Sequence, residues 1–121
     1  MLRNENLAPI MRGDNISFLV TITEGEVPVD ITGDEVIMTL KLNPSDPDII
    51  AAMQSTADLS DGTGTAAGIA PISFSPEQTD VLASTYNYDV QWRRITSGNG
   101  EINTVLYGRI EVLQHVTHSG G

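Results

Sequence analysis

A chain of 121 residues is the size of one domain and long enough to bury a core unaided. Its sixteen acidic and six basic side chains give a formal net charge of -10. With no basic stripe, that balance argues against nucleic acid and against an anionic membrane surface, both of which carry the same sign. The chain has no cysteine, which excludes disulfides, thiol catalysis and cysteine zinc sites and leaves the redox compartment open.

Residues 2–10 read as a first strand, held to a sheet edge by Pro9. Ile16, Phe18, Val20 and Ile22 then alternate with Ser17, Leu19, Thr21 and Thr23, the period of a half-buried strand. Turn chemistry follows at Glu24-Gly25-Glu26 and at Ile31-Thr32-Gly33-Asp34. A second alternating run sets Val36, Met38, Leu40 and Leu42 against Ile37, Thr39 and Lys41. Two prolines break the chain across residues 43–48, and residues 49–56 form a short apolar segment.

Ser60-Asp61-Gly62-Thr63-Gly64 reads as a polar, flexible loop, and residues 68–75 as another short strand. Ser75-Pro76-Glu77-Gln78 then places a capping Ser, a first-turn Pro and a third-position Gln, the signature of a helix start. This helix is a turn or two that crosses between sheets, with Val81 and Leu82 facing inward.

Tyr86, Tyr88, Val90 and Trp92 form the third alternating run, with Trp92 predicted to be buried and Tyr86 to be a structural corner. After the turn at residues 96–100, Leu106, Gly108, Ile110 and Val112 form the fourth. About seven strands separated by turns is the pattern of an antiparallel β-sandwich with one short helix. No internal repeat divides the chain, no apolar run approaches the length of a membrane span, and the first six residues offer no signal-peptide core. A single domain over residues 1–118 is expected, made in the cytoplasm and used unprocessed, with 119–121 as a flexible tail.

Candidate chemistry is sparse. Arg12-Gly13-Asp14 spells an integrin-binding tripeptide, but Gly and Asp before a strand make an ordinary turn. His115 and His118, three apart, would face opposite sides of a strand, which disfavours a shared metal. Asp46 with Asp48 and Asp58 with Asp61 are loop carboxylates outside any helix-loop-helix calcium pattern. Glu24 with Glu26 and Glu77 with Asp80 are the other carboxylate pairs, and charge in loops is their default reading. No nucleophile elbow, phosphate loop or zinc-protease motif occurs. Tyr86, Tyr88 and Trp92 could line a sugar strip, but at this spacing beside Val90 they read as core. The reading is a protein without catalytic, cofactor-binding or metal-binding residues and without a small-molecule substrate.

The order of signals resembles a known family. Arg12-Gly13-Asp14, Ile16–Thr23 and Pro28-Val29-Asp30-Ile31-Thr32-Gly33 are followed by Val36–Lys41 and Gly68–Phe74. Thr79–Leu82 then leads into Tyr86-Asn87-Tyr88-Asp89-Val90-Gln91, and Thr104–Val112 with Val116-Thr117 closes the set. Together these are similar to the immunoglobulin-like domains of tailed-phage virion proteins, such as the N-terminal domain of baseplate upper proteins. The resemblance implies an immunoglobulin-like sandwich acting in the virion, assembled in the host cytoplasm. Its partners would be other virion proteins, including further copies of itself. A tail or baseplate adaptor is the first expectation; a capsid decoration protein or a host-glycan adhesin module are the alternatives. The chain's one lysine, a residue that often guards exposed sheet edges, hints at edges covered by partners.

Overall fold

The computed structural model describes residues 3–4, 6–43, 53–60, 62–81, 84–95 and 101–114. In chain order the strands are β1 (Arg3–Asn4), β2 (Ile10–Met11), β3 (Ile16–Thr21), β4 (Thr23–Glu24), β5 (Val27–Pro28), β6 (Glu35–Lys41), β7 (Met53–Thr56), β8 (Ile69–Phe74), β9 (Ser84–Arg94) and β10 (Glu101–Leu113). Two short helices, α1 (Gly62–Ala66) and α2 (Pro76–Thr79), flank β8.

The larger sheet has the order β1-β10-β9-β6-β7, with β2 also on β10. Its long strands are antiparallel, while β1 and β2 lie one after the other along β10 in parallel register, Arg3 opposite Leu106 and Ile10 opposite Val112. The expected first strand is thus two dipeptides on one edge, and Pro9, which cannot donate to a ladder, lies between them. The smaller sheet pairs β3 with β8, from Ile16 opposite Phe74 to Thr21 opposite Ile69. The protein is an all-β, immunoglobulin-like sandwich of these two sheets.

The core follows from the alternation. Val36, Met38 and Leu40 of β6 and Tyr86, Tyr88, Val90 and Trp92 of β9 face inward, against Val20 of β3 and Ala70, Ile72 and Phe74 of β8. Phe18 meets Phe74 edge to face at 6.4 Å. Each fully buried large apolar side chain contributes roughly 1.5–3 kcal/mol relative to exposure. The pattern departs from strict alternation in β6, where Ile37 and Thr39 are buried as well, and in β10, where the ladder with β9 shifts between Thr104 and Leu106 so that Val105 and Leu106 are both buried. An extra residue in one strand puts two side chains where one belongs.

The helix at Ser75 forms as its residues dictate, with the Ser75 hydroxyl accepting from the Gln78 amide and the Gln78 side chain accepting from the Ser75 N–H at 2.8 Å. The segment read as a flexible loop instead carries α1. Gly and Thr are poor helix formers, and tertiary contacts hold this turn. Buried Thr65 meets the Thr32 hydroxyl at 3.0 Å, and its carbonyl accepts from the Ile31 N–H. Gly68 closes the turn at φ +76°, where an added Cβ would stand 2.5 Å from the Ile22 carbonyl oxygen.

Candidate functional site

Residues paired across an antiparallel ladder share a face, so the outer side of the small sheet presents Ser17, Leu19 and Thr21 beside Ser73, Pro71 and Ile69. Leu19 is 75% exposed, the most exposed large apolar side chain among the described residues. The Ser17 and Ser73 hydroxyls lie 3.0 Å apart. No charged residue occurs in Ile16–Thr21 or Ile69–Phe74, in a chain of net charge -10.

The two edges of this sheet differ. On one side, the Asp58 N–H donates to the Pro71 carbonyl at 3.0 Å and the Ser55 hydroxyl to that of Ser73 at 2.6 Å, so the chain after β7 covers β8. On the other side, β3 pairs with β8 alone among the described residues. The Ile22 N–H donates to Gly68 at 2.8 Å, in register with the β3–β8 ladder. Backbone direction alternates, so the N–H and C=O of Ser17 and Leu19 point to the uncovered edge.

The outer face of the large sheet holds a shallow depression of about 200 Å³ lined by Thr39, Lys41, Asn87, Asp89, Thr104 and Tyr107. The Asn87 amide is committed to the Leu42 carbonyl at 3.0 Å, and the Gln54 amide donates to the Thr39 hydroxyl at 3.0 Å. Tyr107 is 41% exposed and forms one wall.

The sequence candidates disperse. Arg12 donates to Asp80 at 2.9 Å and to the Gln114 side chain at 3.1 Å, while Gly13 turns the chain at φ +83°. The Asp14 carbonyl accepts from the buried Thr79 hydroxyl at 2.6 Å. The tripeptide therefore ties the start of β3 to α2. Glu24 approaches Arg94 at 3.6 Å. Asp58 caps its own turn, and hydrogen bonds from the Ser60 side chain and then its N–H lower the Asp58 carboxyl below the ordinary range, as the Thr32 hydroxyl and N–H do for Asp30. Tyr86, Tyr88 and Trp92 are buried and form no exposed aromatic strip, although Tyr88 also contributes to the lining of the depression. Asp46, Asp48, Asp61, His115 and His118 lie outside the described residues. Among the described residues, no three metal-ligating side chains converge and no helix is long and apolar enough to cross a membrane.

One carboxylate does more than make the turn its sequence position predicts. Asp34 is buried and accepts from the Trp92 indole N–H and from the Ile95 N–H, both at 2.9 Å. The Arg94 guanidinium lies 4.6 Å from the Trp92 ring. Both Asp34 oxygens hold N–H donors of the fold, so its position is structural. The sequence separation of 58 residues leaves no local signal for this pairing.

No family model matches the chain, and no curated protein matches it. Among solved structures, the chain is similar to AggA, the major subunit of aggregative adherence fimbriae type I from Escherichia coli. The identity is 18%, with 88% of this chain and 91% of that chain covered and a TM-score of 0.30.

Proposed function

We propose that this chain is a non-catalytic structural subunit of a tailed-phage particle, a tail- or baseplate-type adaptor that works through protein contacts. The ordered motif set that resembles virion immunoglobulin-like domains motivates the setting. The observation that carries the mode of action is the small sheet: an uncharged face with Leu19 exposed, beside a β3 edge that no other strand pairs with among the described residues. Unpaired strand edges invite pairing, and folds that must stay monomeric guard them with charge, Pro or a bulge. β3 carries none of these.

The chain carries a net charge of -10, and acidic rims meeting basic patches on a neighbour would speed association and weaken with salt. The test is to image purified virions at a resolution that identifies chains. Density for this sandwich at a symmetry-related position supports the proposal, and its axis separates tail from capsid decoration. Expression during infection without incorporation overturns it.

The depression beside Tyr107 favours a second reading, a module that holds a host-surface glycan. An exposed aromatic wall beside the exposed Thr104 and the Asp89 carboxylate suits a sugar ring. A glycan array with and without Tyr107→Ala separates the two readings.

A further inference from the structure

We infer that two copies of this chain pair through β3, edge to edge and antiparallel, about a two-fold axis at Leu19. This rests on the proposal that the chain works by protein contacts, and it names the surface and the occupant. Three observations carry it.

The first is the uncovered edge. The main-chain groups of Ser17 and Leu19 point away from β8, and no described segment pairs with them. A second strand there would satisfy main-chain donors and acceptors of Ser17 and Leu19 that no described strand takes up.

The second is self-complementarity. A two-fold contact must match a surface to itself. Centred on Leu19, the pairing sets Leu19 against Leu19 of the second copy and Ser17 against Thr21 of the second copy. The outward side chains of β3 thus read hydroxyl, apolar, hydroxyl in either direction. Apolar and hydroxyl cross-strand pairs both favour a ladder. The result is a continuous four-stranded sheet in which each Leu19 covers the other.

The third is charge. Two copies of net charge -10 repel through most of their surfaces. The strip from Ile16 to Thr21 with Ile69 to Phe74 has no charged residue, so it allows approach without setting like charges in contact. Because the remaining repulsion is long-range and screened, pairing should strengthen as salt rises. A contact made by acidic rims on basic patches would do the opposite.

Sedimentation equilibrium of the full chain at low and high salt reads this directly. The wild type should associate to a dimer, more tightly at high salt. Leu19→Lys, which sets two ammonium groups face to face, should weaken association by about tenfold or more, with Trp92 emission unchanged as proof of folding. Tyr107→Lys, on the other sheet, should leave association as in wild type.

The chain has no cysteine, so single Cys variants report register cleanly. Leu19→Cys should cross-link to itself under mild oxidation or with a short bis-maleimide. Ser17→Cys should cross-link with Thr21→Cys faster than with itself. A wild type that stays monomeric at high salt, or Leu19→Cys cross-linking no faster than Tyr107→Cys, overturns the pairing. The failures are separable. A chain that enters particles yet is monomeric loses the pairing and keeps the adaptor function; a dimer absent from particles does the reverse.

Discussion

The indole N–H of Trp92 donates to Oδ2 of Asp34 at 2.9 Å, and both side chains are buried. Because Asp34 also accepts from the Ile95 N–H, one carboxylate joins the start of β6 to the end of β9. Asp34→Ala strands two buried donors and should cost about 2–3 kcal/mol. Trp92→Ala should cost roughly 3–5 kcal/mol through the cavity it leaves. Urea unfolding with unchanged slope measures both, and the double variant should fall short of the sum because the residues share one bond.

Gly68 and Gly25 both take positive φ, +76° and +65°, but only Gly68 is crowded. Gly25→Ala meets nothing within 4 Å, so it should cost only the left-handed penalty of about 1–2 kcal/mol. Gly68→Ala drives a methyl into the Ile22 and Val29 backbone and should cost distinctly more. Equal midpoints for the two variants would refute the close approach of these three segments.

The Arg12–Asp80 ion pair is largely exposed, 35% and 63%, so Asp80→Ala should change stability by less than about 1 kcal/mol. Thr79→Val, which removes the buried hydroxyl holding the Asp14 carbonyl, should cost about 1 kcal/mol. The order of the two, read by thermal unfolding, tests whether α2 anchors the tripeptide turn through Thr79 rather than through the ion pair.

Burial raises the Tyr86 phenol above its ordinary value of 10.0, and the nearby Arg12 charge offsets part of this. The unfolded chain then loses its proton first as pH rises. Stability from this group is full below pH 10.0 and is lost as pH climbs through the higher folded value. Stability measured from pH 9 upward should fall in the wild type and fall less steeply in Tyr86→Phe. Identical slopes would remove Tyr86 from the account.

Legibility in the sequence followed the reach of each interaction. β3, β9 and β10 are readable because a sheet with one buried face imposes period two on neighbouring residues; β6 keeps that period in Val36, Met38 and Leu40, although Ile37 and Thr39 on its other face are buried too. The cap at Ser75 was readable because its partners lie three residues apart. α1 was not, since Gly62-Thr63-Gly64-Thr65-Ala66 has no helical preference and is held by Thr32 and Ile31, which lie far back in the chain. The bulge at Val105 left no mark in the alternation until the pairing with β9 was known. Asp34 looked like any turn Asp. On the surface, Leu19 was readable as an outward residue of β3. That β8 is covered on its far side, while β3 is not among the described residues, depends on the path of residues 55–58 and has no sequence signal.

The proposed place of this sandwich is as a built-in part of a phage particle. Its most direct test is quantitative mass spectrometry of particles purified through a density gradient, with the chain measured against the major capsid protein. The account predicts co-sedimentation with intact particles at a fixed stoichiometry. Recovery of the chain only in the soluble fraction, with none at particle density, would contradict it.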